Sequence, residues 1–250
     1  MKRVFPRLLL SMLMLLASPA SSRSFTLSDF DESILQPAPA GQQAEIPMSD
    51  INPRALDLAM KGYYNLKRQG LLRREGILTL IDFDKPSVSE RLYVIDVDNN
   101  RVLRSALVAH GKGSGEVMAS RFSNRPGSNT SSLGLFLTES TYDGKNGLSL
   151  VLKGLEHGVN DNAESRGIVI HGADYVSETY ISRYGRLGRS QGCPAISFDN
   201  CQQLIDTIKD GSCLFIYHTG NAYVASKSVS RRHKASIRSA ARAGRHSRRA

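Results

Sequence analysis

At 250 residues, 40% of them hydrophobic, the chain is long enough for one domain with a sizeable core, and such a fold need not depend on disulfides. The formal net charge of +10 is unevenly placed: nine Lys or Arg and no acid lie between Lys227 and Ala250, and three more basics precede Leu8, leaving 21 basic against 23 acidic residues, or −2, for residues 21–226. That near-neutral stretch carries no nucleic-acid footprint, and no segment after the first twenty residues is long and apolar enough to span a bilayer.

Taken in order, the chain opens with Lys2, Arg3 and Arg7, an apolar run from Leu8 to Ala17, and the small residues Ser18-Pro19-Ala20. These are the three parts of a secretory signal, so residues 1–20 are expected to be a signal peptide cleaved after Ala20. The apolar run is about half the ~20 residues needed to cross a membrane. No cysteine adjoins the cleavage point to accept a lipid, and no transmembrane anchor is expected after cleavage. Residues 21–48, rich in Ser, Pro, Ala, Gly and Gln, read as a linker.

A domain is expected over 49–225. Asp50 or Asn52 with Pro53 opens a helix that runs to about Gln69 and closes at Gly70. From Ile77 the period shortens: 77–83, 91–97 and 101–108 are strand-like, the last two joined as a hairpin by Asp98-Asn99-Asn100. Residues 111–132, dense in Ser, Gly and Asn, read as a long functional or mobile loop. Further strands are expected at 134–138, 148–152, 167–170 and 213–217, with one helix from about Asp199 to Lys209. Many short strands separated by turns favour a mainly β sandwich or barrel. The tail at 226–250, basic and poor in bulky apolar residues, is expected to be disordered.

Three cysteines, Cys193, Cys201 and Cys213, leave at least one thiol unpaired in an exported protein. Cys201 falls in the first turn of the expected helix, about 12 Å from its end, whereas a disulfide needs Cα atoms within roughly 7 Å. Cys201 and Cys213 are therefore expected as buried free thiols. The densest chemical cluster is Ile168-Val169-Ile170-His171-Gly172 followed by Ser190-Gln191-Gly192-Cys193-Pro194. A β-branched run ending in His-Gly puts His171 at a strand end, and Gly192 lets backbone approach just before Cys193. An imidazole near a thiol both lowers its pKa and orients its proton, and amides around Gly192 and Cys193 suit an oxyanion. Spacing alone leaves a structural Cys and a hydrogen-bonded strand-end His as alternatives. No metal pattern is present, since His110, His157 and His171 lack ligand spacing.

The stretch from His171-Gly172 to Ser190-Gln191-Gly192-Cys193 resembles the L,D-transpeptidase (YkuD-like) signature. With Asn160-Asp161-Asn162, Arg166, Ala173-Asp174-Tyr175-Val176-Ser177 and Gly185-Arg186-Leu187-Gly188-Arg189, it is similar to the divergent murein L,D-transpeptidase catalytic domain branch. The likeness covers about residues 50–220. It implies an L,D-transpeptidase-like β-sandwich with a short N-terminal helix and one helix after the catalytic Cys. It implies an exported enzyme of the periplasm or cell envelope acting on peptidoglycan stem peptides, with no metal or organic cofactor. Cys193 would be the nucleophile and His171 the base, with Gly172, Ser190 and Gly192 shaping the site. Two departures bear on substrate: Gln191 stands where many relatives have His, and Ala195 where many have Arg. Arg186 and Arg189 are then the nearest carboxylate binders, beside Arg166 and Tyr175. Hydrolysis at the same site, or a non-catalytic wall-binding role with the basic tail on anionic envelope polymers, are the competing readings.

Overall fold

Asn52 opens the first helix, α1 (Pro53–Arg68), by accepting hydrogen bonds from the Arg54 and Ala55 amides. Pro53 occupies the first turn, where its missing N–H is not needed. Gly70, at φ +64°, provides the left-handed exit. The computed structural model describes residues 47–220; the expected signal segment, nearly all of the linker and the basic tail lie outside the described residues.

The strands that follow are β1 (Ile77–Asp82), β2 (Leu92–Asp96) and β3 (Arg101–Ala106), an antiparallel meander whose second turn carries Asn100 at φ +50°. Next come β4 (Gly134–Gly144) and β5 (Gly147–Gly154), paired antiparallel from Phe136 to Gly154. Both run beyond the expected 134–138 and 148–152. The outer half of β4 is largely exposed and polar, and so lacks the apolar alternation that marks a half-buried strand, while β5 gains only Gly147, Lys153 and Gly154. Then follow β6 (Val169–Gly172), a helix α2 (Glu178–Tyr184), a two-residue strand β7 (Ala195–Ile196), α3 (Phe198–Ile208) and β8 (Cys213–Tyr217). Neither α2 nor β7 was expected: α2 buries no residue, so no apolar stripe announces it, and two residues are too few to show a period.

The protein is mainly β, with one eight-stranded sheet in the order β3-β2-β1-β8-β4-β5-β6-β7. The outer strands at its two ends are brought back together: the Ala109 amide donates to Ala195 O at 2.8 Å and the Ala195 amide to Ala109 O at 3.3 Å, just past β3 and on β7. The sheet therefore folds over, and Val94, Ala106, Leu150, Ile170 and Ile196 share one core with Leu204, Ile205 and Ile208 of α3. On the other face α1 packs Ala55, Ala59, Tyr63 and Leu66 against Leu78, Leu80, Tyr93, Ile95 and Phe215. The alternation along β1 sends Leu78 and Leu80 to α1 and Ile81 to the inner core, as period two requires. Cys201 belongs to the inner core and Cys213 to the outer one, so the sheet separates them, and both are free thiols. No helix among the described residues is long and apolar enough to cross a membrane.

Candidate active site

Where β6 ends, a cleft of about 1080 Å³ opens, lined from one side by the β4–β5 hairpin (Tyr142, Lys145, Asn146) and from the other by Tyr175 and Arg189. Its floor includes Val169, His171 and Cys193. The strand alternation explains the placement, since Ile170 turns into the core while Val169 and His171 face the cleft. His171 Nδ1 lies 2.8 Å from Gly172 O. A carbonyl accepts only, so Nδ1 carries the proton and Nε2 of the neutral ring is left with its lone pair. Gly172 has a second use: a Cβ there would stand 2.5 Å from the Phe198 ring, which packs over the site at the start of α3.

Cys193 sits two residues before Ala195, the residue that β7 pairs with His171. Its approach is bent at Gly192, whose φ of +132° is a region that side-chain-bearing residues rarely adopt. The bend is held by hydroxyls: Ser190 Oγ donates to Cys193 O at 2.6 Å and accepts the Gly192 amide at 3.0 Å. From the 111–132 loop, Ser131 Oγ donates to Gly192 O at 3.0 Å while accepting the Gly111 amide at 3.0 Å. The Gly192 amide is therefore occupied within its own turn and is not the free oxyanion donor the sequence suggested.

The Cys193 thiol is half-buried and donates to Gly167 O at 3.6 Å rather than to the imidazole. Burial raises its pKa above the ordinary thiol value, opposed by the Val169 amide and by the positive charge of Arg166. Tyr175, also against the thiol, is pushed up to about 12, first by burial and then by Cys193, so its hydroxyl keeps its proton at neutral pH.

The family described as "L,D-transpeptidase catalytic domain" matches residues 47–217, more than half of the chain. The chain belongs to this L,D-transpeptidase family. Among solved structures it is similar to the L,D-transpeptidase from Mycobacterium smegmatis, at 16% identity over 57% of this chain and 59% of that one, with a TM-score of 0.36. It is also similar to the L,D-transpeptidase (Yku) from Stackebrandtia nassauensis, at 15% identity over 68% and 70%, with a TM-score of 0.35. A third is the helical cell shape determining protein Pgp2 from Campylobacter jejuni, at 12% identity over 57% and 47%, with a TM-score of 0.38. The chain thus spans about three-fifths of the first of these and about half of the last. No curated protein is similar enough in sequence to count as a relative.

In this L,D-transpeptidase domain the residues singled out in the sequence separate into groups. His171, Gly172, Ser190, Cys193, Tyr175, Arg166 and Arg189 all line the cleft, whereas Gly192 bends the chain behind it and Arg186 lies off it. Arg166 is less available to substrate than expected. Four of its donor contacts go to Ser123 O (2.8 Å), Ser132 Oγ (2.6 Å), Thr130 O (2.7 Å) and Ser128 Oγ (3.4 Å), which fasten the 111–132 loop beneath Cys193. Arg186 and Arg189 share a carboxylate, but it is internal: Arg186 Nε is 3.0 Å from Glu116 Oε2 and Arg189 Nη1 is 2.6 Å from Oε1. Ser131, Glu116 and Phe198 were not singled out as site residues. The density of Ser and Gly in 111–132 was the available signal for Ser131, but it marks the loop and not the residue. Among the described residues no three His, Cys, Asp or Glu side chains gather as a metal site.

Proposed function

We propose that the chain is an exported cysteine acyltransferase that forms a Cys193 thioester with peptidoglycan stem peptides and passes the acyl group to an amine, an L,D-transpeptidation. The observation that carries this reading is the shared cleft, lined by both Cys193 and a His171 whose Nδ1 is engaged by the Gly172 carbonyl, so that Nε2 of the neutral ring is the nitrogen left to accept a proton. The raised thiol pKa means that the thiol does not ionise by itself at neutral pH, so a base is required. His171 Nε2 takes the thiol proton as sulfur bonds to the peptide carbonyl carbon. The imidazolium then returns that proton to the amine of the departing D-residue as the C–N bond breaks, leaving a thioester. In the second half an amine of a neighbouring stem gives up a proton to His171, attacks the thioester carbonyl, and releases the Cys193 thiolate, which is reprotonated.

The developing oxyanion has two donors supported by the local chemistry, the Cys193 amide and the Tyr175 hydroxyl, which is held protonated. The Gly172 carbonyl keeps the His171 tautomer, and Ser190 keeps the Cys193 backbone in place. With Arg166 committed to the 111–132 loop, Arg189 on the cleft wall is the guanidinium for a stem carboxylate, with Arg186 as its neighbour on Glu116. Export through residues 1–20 puts the enzyme in the periplasm or cell envelope, and the tail from Lys227 tethers it to anionic envelope polymers.

Incubation of the full chain with defined muropeptides, followed by mass analysis, tests the reading. A cross-linked dimer with loss of the terminal D-residue is the expected product. Trimmed stems without dimers would replace it by a hydrolytic L,D-carboxypeptidase using water as acceptor. No product, together with no covalent carbapenem adduct on Cys193, would leave only a wall-binding role.

A further inference from the structure

Behind the segment that carries Cys193 lies a buried arginine–histidine pair that the chemistry above does not use. Arg91 is fully buried. Its Nε and Nη2 donate to Val108 O at 3.0 and 2.8 Å, and its Nη1 donates to Lys85 O at 2.9 Å. Nη2 also lies 2.9 Å from His110 Nδ1, and the Phe83 ring lies 4.8 Å from the guanidinium carbon. Asp82 acts on Arg91 electrostatically, yet among the described residues no carboxylate forms an ion pair with it. Arginine only donates, so His110 Nδ1 accepts, and the neutral ring carries its proton on Nε2. That Nε2 is buried with no well-formed hydrogen bond, although the Gly115 carbonyl acts on the ring. A buried cation without an ion pair and a poorly satisfied N–H are both destabilising, which asks what the arrangement holds in place.

It holds the rail on which the nucleophile segment rests. Main chain from Val108 to Lys112 lies along Ser190–Ala195: Ala109 and Ala195 exchange both amide bonds, the Ser190 amide donates to His110 O at 3.0 Å, and the Lys112 amide donates to Ser190 O at 2.8 Å. On its other side the segment runs into β7, which pairs in parallel with β6 at His171 and Gly172. Cys193 is therefore placed relative to His171 by a strip of backbone clamped between β6 and the Val108–Lys112 rail, and Arg91 grips that rail at the Val108 carbonyl and at the His110 ring.

We propose that Arg91 and His110 are positioning residues for Cys193: together they lock the Val108–Lys112 rail, and the rail sets the register of Ser190–Ala195 against the strand that carries His171. The inference rests on Cys193 being the nucleophile. Neither residue lines the cleft, so neither touches substrate. Burial and the adjacent Arg91 charge hold His110 down at about 4, so the ring keeps one charge state over the range in which a thiol titrates.

The test is the pH profile of Cys193 alkylation by iodoacetamide, followed by mass analysis on the full chain at a temperature where circular dichroism shows each variant folded. His110→Leu removes the acceptor for Arg91. It should slow alkylation on the order of 10- to 100-fold and displace the profile, as expected when a remote change misplaces a reacting group. His110→Asn places Oδ1 where Nδ1 accepts and should restore most of the rate, whereas His110→Gln carries its amide too far out to do so. A wild-type profile in folded His110→Leu, with only the melting temperature lowered, would overturn the proposal. Should His110→Leu not fold, the comparison of Asn with Gln decides, and equal profiles overturn it. Alkylation requires no stem peptide, so failure of muropeptide turnover with the profiles as expected would sink the acyl-transfer reading while leaving the positioning role standing.

Discussion

Ser131 Oγ donates to Gly192 O at 3.0 Å, joining two residues 61 positions apart, one in the Ser/Gly-rich loop and the other immediately before Cys193. The same hydroxyl accepts the Gly111 amide, and the Ser131 amide donates to Ser114 Oγ at 2.9 Å. All of these groups are buried, so the 111–132 loop is pinned under the segment that carries Cys193 and is not a free flap.

Ser131→Ala should lower stability by about 1–3 kcal/mol, because it strands the Gly111 amide and one acceptor site of the Gly192 carbonyl out of reach of water. Denaturant unfolding should show a lower midpoint at unchanged slope, with slower Cys193 alkylation at temperatures where the variant is folded. An unchanged midpoint would mean that water replaces the hydroxyl.

Cys193 and His171 should act as one unit. Cys193→Ala and His171→Ala should each reduce muropeptide turnover by at least about a thousandfold, with the double variant little worse than either single one, as for other pairs of nucleophile and base. The kinetics to compare are single-turnover rates for the three variants; additive losses, or appreciable turnover by Cys193→Ala, would contradict the pairing.

Acid should destabilise the domain in a window set by His110. Its pKa falls from 6.5 unfolded to about 4 folded, through burial first and Arg91 second, opposed by the Gly115 backbone, with Arg189 disfavouring the charged ring and Glu116 favouring it. The unfolded chain therefore binds the proton more readily between these values, and stability is fully present above about 6.5 and declines as pH falls towards 4. The difference amounts to about 3 kcal/mol. Urea unfolding between pH 7.5 and 4 should show this slope in the wild type and lose it in His110→Asn. The depressed carboxylates Asp96, Asp161 and Asp206 titrate below this window, and the carboxyl of Asp82, raised by burial, acts in the opposite sense and remains in His110→Asn.

Removing residues 227–250 should leave turnover of soluble muropeptides unchanged while reducing retention on isolated envelopes at low salt. The deleted piece holds nine Lys or Arg and no acid, and attraction of that kind fades as the screening length falls to about 8 Å near 0.15 M salt. Co-sedimentation across a salt series measures it; equal retention of both forms would assign the tail a solubilising role.

What the sequence determined by itself is what local pattern encodes. The span of α1 from Asp50 or Asn52 to Gly70, the alternation of β1 and β2, the Asp/Asn hairpin turn and the unpaired Cys201 and Cys213 follow from side-chain periodicity, helix rise and capping chemistry within a few neighbours. His171-Gly172 and Ser190 to Cys193 were legible as a two-part motif because each half is contiguous. The tertiary structure alone decided which groups remain available. It draws the Gly192 carbonyl onto Ser131, turns Arg166 into a fastener of the 111–132 loop, and sets Glu116 between Arg186 and Arg189. It also closes the sheet through Ala109 and Ala195 and brings Arg91 and His110 behind the segment that carries Cys193. Hydrogen bonds between residues tens of positions apart leave no period in the chain, and a buried Ser, Arg or His differs from an exposed one only through neighbours that folding supplies.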